Sequence, residues 1–198
     1  MQWIVYLLIL HANLITLERI DIFRRSLPEN KIIAELLTDD GQFPNNPSLP
    51  LLLYKGVFDL SEESPALVIE GLFKKNGWGG MWRNGIYDFH HYHSTAHEVL
   101  GVCSGWADIQ LGGQSGIKVR LEKKDVILIP AGVAHNNLGQ SSDFRVVGAY
   151  PHGQHWDMNY GNPGERPGAD HNIAEVPLPE KDPVYGHSGP VIDYWVNK

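Results

Sequence analysis

Short apolar runs separated by turn residues dominate the chain from Leu51 onward. Val, Ile, Leu and aromatic residues recur in stretches of strand length, and clusters of Gly, Pro, Asn and Asp separate them, which is typical of β-strands joined by turns. The predicted strands cover residues 51–60, 83–93, 98–103, 106–111, 117–121, 126–130 and 144–150, with a hairpin loop at residues 112–116. The pattern predicts an all-β fold. Its closure into a small barrel would leave a lined interior able to hold one small ligand.

Alternation along the predicted strand 83–93 indicates which of its side chains share a face. Successive side chains of a strand point to opposite sides of the sheet, so the odd-numbered residues of this strand are expected to face the barrel interior. These residues are Arg83, Tyr87, Phe89, His91 and His93. Tyr87 and Arg83 are therefore candidates for orienting or neutralising an anionic ligand.

A single helix is predicted after residue 64. Ser64 followed by Pro65 is a helix start signal, and the pair Asn76-Gly77 is a stop signal. Between these signals apolar residues recur at helical spacing, at Ala66, Ile69, Leu72 and Phe73. We expect this short helix to pack on the outside of the barrel.

Three regions follow along the predicted single domain. Residues 1–60 form an N-terminal arm and strands, residues 61–150 the barrel core with its helix, and residues 151–198 an irregular C-terminal arm. The apolar start, MQWIVYLLIL, is shorter than the roughly 20 apolar residues of a membrane span. It also lacks a basic residue ahead of the apolar run and a small-residue cleavage site. A strand or a start-site extension is favoured over a targeting segment, and we expect a cytoplasmic protein.

Composition narrows the classes of partner. The chain has 198 residues, with 16 Lys plus Arg against 23 Asp plus Glu and a net charge of -7. No basic run interleaved with aromatic residues is visible, so nucleic acid is not an expected partner. The single cysteine, Cys103, lies in an apolar strand and is expected to be buried and unreactive. The apolar N-terminus, the helix and the aromatic C-terminal arm together predict a homodimer.

Metal-ligand spacing is the most informative feature of the sequence. His91 and His93 point to the same side of a strand, and the chain can turn back within the next few residues to bring Glu98 to the same point. His135 lies just past a Pro/Gly turn that ends another predicted strand, and it is the natural fourth ligand. Two histidines and a carboxylate leave coordination positions open, as in reactive metal sites.

Five other polar residues near these positions are not expected to be ligands. Strand alternation places His90 on the face opposite to His91, and His97 in the turn before Glu98 or on the opposite face of the next strand. His152, His155 and Asp157 follow the last predicted strand, where solvated loop residues are common.

The spacing Gly85-x5-His91-x-His93-x4-Glu98-x6-Gly105 resembles the first motif of the cupin superfamily at every fixed position. This motif occurs once, which argues against a protein with two cupin barrels.

The second cupin motif is matched at Pro130, Gly132 and His135, whereas Lys124 and Gly139 stand where Gly and Asn are usual. The flanking regions are similar to a group of uncharacterised bacterial single-domain cupins. The resemblance implies a double-stranded β-helix (jelly-roll) barrel and one divalent transition metal, which could be Fe, Mn, Ni or Zn. It implies no particular reaction.

Three functions are compatible with this site. The first is a small-molecule oxidoreductase of the dioxygenase type, in which the metal binds an oxygen-bearing substrate at its open positions. The second is a non-catalytic cupin that binds or senses a small ligand, and the third is a metal-dependent isomerase. No phosphate-binding loop, serine-hydrolase elbow or paired Cys-x-x-Cys motif is present to support nucleotide-dependent, serine-hydrolase or zinc-finger functions.

Overall fold

Two antiparallel sheets enclose an apolar core in the computed structural model, which describes residues 32–60, 64–151 and 153–197. Within these residues nine strands are present: β1 Ile32–Glu35, β2 Leu51–Tyr54, β3 Trp78–Asn84, β4 Glu98–Ser104, β5 Trp106–Leu111, β6 Ile117–Glu122, β7 Val126–Ile129, β8 His135–Gln140 and β9 Arg145–Pro151. Six strands form one sheet in the order β1-β2-β7-β4-β9-β3, and three form the other in the order β6-β5-β8. The all-β class predicted from the sequence is confirmed.

The central strand β4 is buried on both of its faces. Leu100 and Val102 point into the core between the two sheets, whereas Val99 and Cys103 point to the outer face of the six-stranded sheet. Strand β6 instead alternates buried and exposed residues, because its outer face meets solvent. The larger sheet therefore needs a second layer of structure over its outer face.

Helix α1, Pro65–Lys75, supplies part of this layer, and its predicted start, stop and external position are confirmed. Ile69 and Phe73 are fully buried against the outer face of the sheet. Pro65 occupies the first turn, while the Ser64 side chain makes no capping hydrogen bond. Gly101 of β4 lies under the helix, and the missing side chain lets the two elements approach closely.

The predicted strand 83–93 is wrong in its bounds. Strand β3 begins at Trp78 and ends at Asn84, and the segment that follows is irregular up to two isolated bridges at His91 and Tyr92. The Asn84 side chain accepts a hydrogen bond from the backbone of Gly85 at 2.9 Å, a local turn that competes with strand pairing. The alternation of side chains between the two faces of β3 therefore does not continue through this segment to His91.

Two strands were not predicted, and a second predicted strand extends too far. Sequence patterns missed β1 and β8, while β2 ends at Tyr54 instead of residue 60. Its continuation is broken at Gly56, which adopts a φ of 66° and donates a backbone hydrogen bond to Asp125. Lys55 also pairs with Asp125.

The C-terminal arm is ordered, as expected, but it contains a helix that the sequence pattern did not predict. Helix α2 spans Gly168–Glu175, and a π-helical turn spans Ile192–Val196. Buried Asp182 holds the arm against the barrel by accepting a hydrogen bond from the Tyr54 hydroxyl at 2.7 Å. Trp195 is buried and donates to the carbonyl of Pro50 at 2.9 Å.

Two further expectations concern the cysteine and the N-terminus. Cys103 is 8% exposed, so its predicted burial is confirmed, and burial raises the pKa of its thiol. The apolar run at residues 1–17 lies outside the described residues. None of the helices in residues 32–60, 64–151 and 153–197 has the length and hydropathy needed to cross a bilayer.

The contact between α1 and β4 predicts a destabilising substitution. A Cβ at Gly101 would lie 2.7 Å from Cγ2 of Ile69 and 3.1 Å from Cζ of Phe73. Gly101→Ala should lower the free energy of unfolding in urea by about 1–3 kcal/mol, because the helix must move away from the sheet. Gly139→Ala is the matched control, since a Cβ there meets nothing within 4 Å. Equal stability of the two variants would contradict this packing.

Candidate metal centre

Three imidazole rings from two segments of the chain meet inside the barrel. The backbones of His91 and His135 pair with each other, with N–O distances of 3.2 and 2.9 Å, and their ring centroids are 4.0 Å apart. His93 follows on the same face. One nitrogen from each of the three rings lies within 4.8 Å of the other two, and all three residues are buried.

Each of these rings is oriented by a hydrogen bond between its Nδ1 atom and a backbone carbonyl. The acceptors are the carbonyl of Phe89 for His91 (3.2 Å), of Asp157 for His93 (2.5 Å) and of Val133 for His135 (3.3 Å). Because a carbonyl oxygen can only accept, Nδ1 carries the proton in each ring. In a neutral ring the lone pair is then on Nε2, as in metal-binding histidines with a hydrogen-bonded second nitrogen.

Glu98, the first residue of β4, places its carboxylate beside these rings. Its Oε2 atom is 3.4 Å from Nε2 of His135 and 3.7 Å from Nε2 of His93. Its other oxygen accepts a hydrogen bond from the Tyr150 hydroxyl at 2.8 Å, and that hydroxyl accepts one from Nε1 of Trp82 at 3.0 Å. The carboxylate is therefore fixed with one oxygen directed to the histidines.

The charges of these groups fit a bound divalent cation. Burial favours the neutral form of Glu98, but His93 and His135 outweigh it and hold the pKa of the carboxyl below its usual value. Burial also disfavours the charged form of His93, yet the neighbouring carboxylate of Glu98 raises the pKa of His93, which favours a proton on His93 beside the ionised carboxylate. A divalent cation would replace that proton, and a donor set of imidazoles with one carboxylate suits Fe, Mn, Ni or Zn.

The structure places His90 and His97 outside this cluster. The His97 ring accepts a hydrogen bond at Nδ1 from the backbone of Ala131 at 3.0 Å and lies 4.9 Å from the ring of Trp195. Burial lowers the pKa of His97 to about 3, so this ring is neutral. His90 packs beside Phe43, with ring centroids 5.3 Å apart.

A cavity of about 330 Å³ adjoins the four candidate ligands. Its remaining walls are mostly apolar or aromatic and consist of Gly80, Trp82, Asn84, Gly85, Ile86, Tyr87, Leu100, Tyr150, Trp156 and Met158. Tyr87 is thus placed where the sequence predicted. The cavity gives a small molecule access to the point at which the histidines converge.

Arg83 does not line this cavity, so the position expected for its side chain from strand alternation is wrong. Its guanidinium forms two hydrogen bonds with Glu70 of α1, at 2.5 and 2.7 Å, on the outer surface. In β3 the even-numbered Trp82 and Asn84 face the cavity. The irregular residues that follow shift the alternation, which is why Arg83 points away from the site while His91 points into it.

Several residues of the site were not predicted as such. Tyr150 shares the inward face of the predicted strand 144–150 with Val146. Strand alternation could therefore have identified it as a residue of the barrel interior. Asp157 was expected to be solvated. Its carboxylate instead accepts hydrogen bonds from the backbone and hydroxyl of Ser94, while its carbonyl orients His93. His155 contributes its carbonyl to Thr95, and His152 lies outside the described residues.

A known relative settles the family of this chain. The uncharacterized protein YjlB of Bacillus subtilis (strain 168) is 40% identical over 158 residues, which cover 80% of this chain and 93% of the relative. The chain belongs to the YjlB family. In this YjlB-family protein the two segments that resemble cupin motifs lie on antiparallel sheets, the architecture that this resemblance implies. No protein-family model matches the chain.

Solved structures similar to this YjlB-family protein share little sequence with it. An uncharacterized conserved protein with a double-stranded β-helix domain from Klebsiella pneumoniae is 16% identical, covering 71% of this chain and 88% of that one, with a TM-score of 0.33. An acireductone dioxygenase from Bacillus anthracis, with a cadmium ion in its active centre, is 17% identical, covering 67% and 83%, with a TM-score of 0.33. The TDP-fucose-3,4-ketoisomerase WlaRA from Campylobacter jejuni is 17% identical, covering 42% and 67%, with a TM-score of 0.35.

Substitution of single histidines tests the ligand set. His91→Gln and Glu98→Gln should lose most of the metal content per chain after identical purification, because each removes a candidate ligand atom. His90→Gln is the matched control, since the His90 ring is adjacent in sequence to His91 but packs beside Phe43, away from the cluster. His97→Gln should also retain metal. Full occupancy in His91→Gln together with loss in His97→Gln would show that the ligand set is wrong.

The hydroxyl of Tyr150 is expected to strengthen metal binding indirectly. Tyr150→Phe keeps the ring but frees one oxygen of Glu98, which should weaken metal affinity by about tenfold in a chelator competition. Tyr54→Phe is the control, because it also removes a buried hydroxyl bonded to a carboxylate, that of Asp182, but away from the site. Unchanged metal affinity in Tyr150→Phe would contradict this positioning role.

Proposed function

We propose that this protein is a metal-dependent oxidoreductase of the dioxygenase type that acts on a small molecule. In this proposal His91, His93, His135 and Glu98 hold one divalent transition metal, which is Fe, Mn, Ni or Zn. The observation that carries the proposal is the convergence of three carbonyl-oriented imidazoles and one ionised carboxylate on a cavity with room for a substrate.

The residues of the chain would bind and orient the reactants. A metal bound here would supply Lewis acidity toward an oxygen-bearing substrate and, as iron or manganese, redox chemistry with dioxygen. The carbonyl of Asp157 and the hydroxyl of Tyr150 hold His93 and Glu98 in place, which limits the reorganisation needed on binding. The apolar side chains of Leu100 and Met158 form part of the cavity wall, and a substrate packed against them would displace water from that side of the site.

The cavity offers few groups for acid–base chemistry, which favours oxidoreduction over isomerisation. Among the described lining residues, the ionisable groups besides the candidate ligands are the hydroxyls of Tyr87 and Tyr150. Burial and the neighbouring Glu98 raise the pKa of Tyr150 well above its usual value, so it is a poor base at neutral pH. The hydroxyl of the half-exposed Tyr87 supports a metal-dependent isomerase as the alternative enzymatic function.

The homodimer and the cytoplasmic location expected from the sequence belong to the same proposal. Large apolar side chains that are about half exposed, at Leu36, Leu67 and Leu138, support association of two copies.

Oxygen uptake by metal-loaded protein tests the proposed reaction. The metal-free protein is loaded in parallel with Fe(II), Mn(II), Ni(II) or Zn(II) and given a panel of small hydroxy-, keto- and dihydroxy-compounds, with His91→Gln as the inactive control. Substrate-dependent oxygen consumption is expected with a redox-active metal and not with zinc. Product formation without oxygen would instead indicate the isomerase. Ligand binding with neither outcome would indicate the non-catalytic cupin.

A further inference from the structure

Four exposed aromatic rings surround the candidate metal centre on the surface side. This group, which we name the aromatic rim, consists of Tyr87, Phe89, Trp156 and Tyr160, with exposed fractions of 52%, 41%, 46% and 48%. Large aromatic side chains are usually buried in a folded protein, and a cluster of exposed ones marks a binding surface.

The rim lies directly against the candidate ligands. The rings of Tyr87 and Phe89 are 5.3 and 5.6 Å from that of His91, and the ring of Trp156 is 5.4 Å from that of His93. Tyr160 extends the rim by its contact with Phe89 at 6.0 Å. Aromatic surface therefore lies beside two of the three histidines, His91 and His93.

The rings of the rim are held in place before any ligand binds. Tyr87 stacks on Phe89, with centroids 4.8 Å apart and planes 23° from parallel. Trp156 is stacked beside Tyr150 at 6.2 Å. The residues flanking Trp156 are tied to Thr95, which donates its hydroxyl to the carbonyl of His155 at 3.0 Å and accepts from the backbone of Asp157 at 3.1 Å. A preordered aromatic surface loses little conformational entropy when it binds a ring.

The charge of the cavity argues against highly anionic substrates. No Lys or Arg is found among the lining residues that the structure describes, and Arg83 is paired with Glu70 on the outer surface. The chain carries a net charge of -7. A diphosphate or nucleotide needs cationic side chains to replace its hydration, and this cavity does not present them.

We infer, on the basis of the proposed function, that the substrate is a planar aromatic molecule without phosphate groups and with oxygen donors at one end. The ring packs against Tyr87 and Trp156, which are the rim residues that line the cavity, and against the apolar wall at Ile86 and Met158. Its oxygen donors face the histidines and Glu98. A cavity of about 330 Å³ is at the small end of ligand sites, so the molecule has one compact ring system. Trp156 is the principal residue that sets this specificity.

A matched pair of chelating probes tests this specificity without turnover. Benzohydroxamate and acetohydroxamate bind a metal through the same two oxygens and differ only in carrying a phenyl or a methyl group. Titration calorimetry on the zinc-loaded full chain, with zinc content checked afterwards, should give benzohydroxamate an affinity at least roughly tenfold higher. Trp156→Ala should remove most of this preference and leave acetohydroxamate affinity within about twofold. Trp156→Phe should restore much of it.

Trp106→Ala is the control variant, because this partly exposed tryptophan packs under Arg120, away from the site. Equal affinity for the two probes, or an unchanged preference in Trp156→Ala, overturns the aromatic specificity while the metal site stands. Failure of both probes to bind zinc-loaded protein counts against the proposed function itself. Loss of a dimer in Trp156→Ala with an unchanged preference would assign the rim to contact with a second copy, and would also overturn the inference.

Discussion

Hydrogen bonds from Nδ1 of three histidines to backbone carbonyls are the interactions on which the candidate site depends. Two of the acceptors, the carbonyls of Phe89 and Val133, lie two residues before the histidines that they orient. The third, that of Asp157, comes from 64 residues farther along the chain. With the proton held on Nδ1, the lone pairs at Nε2 are free to converge. The convergence therefore needs both the local turns and the return of the C-terminal arm.

The segment of the C-terminal arm around Asp157 contacts the candidate site directly. The carboxylate of Asp157 binds the Ser94 backbone at 2.6 Å, next to His93, and its carbonyl orients the His93 ring. The residues on either side, Trp156 and Met158, form part of the cavity wall. A movement of this loop would change the shape of the cavity and the orientation of His93 together, because the same short segment determines both.

Packing within the large sheet orients the carboxylate. Trp82 lies across the backbone of β9 at Gly148, where a Cβ would come within 2.1 Å of the indole. This close approach lets the indole donate to the Tyr150 hydroxyl, which in turn donates to Glu98. A glycine that makes no contact with the candidate ligands thus determines how one of them is presented. The candidate metal centre therefore depends on the packing of the sheet as well as on the four candidate ligands.

The sequence by itself determined the helix and strands whose bounds depend on residues close together in the chain. The Ser64-Pro65 start and the Asn76-Gly77 stop were enough to place α1 within a residue, and apolar runs located β4, β5, β6, β7 and β9. The spacing of His91, His93, Glu98 and His135 was also sufficient to select the side chains that the fold brings together. Strand alternation and a short turn act over a few residues, so the approach of these side chains to one another can be predicted from their spacing in the sequence.

Tertiary structure decided the features whose partners are distant in the chain. The direction of Arg83 depends on an irregular segment that breaks the alternation between it and His91, so no periodic pattern could predict it. Helix α2 has no side-chain cap and little apolar periodicity, and contacts with the barrel and with residues near Phe43 stabilise it. Asp157 supports His93, and Tyr87 and Trp156 line the same cavity, because the chain folds back on itself over more than sixty residues. Such contacts have no characteristic separation in the sequence, because they depend on the path of the chain through the whole barrel.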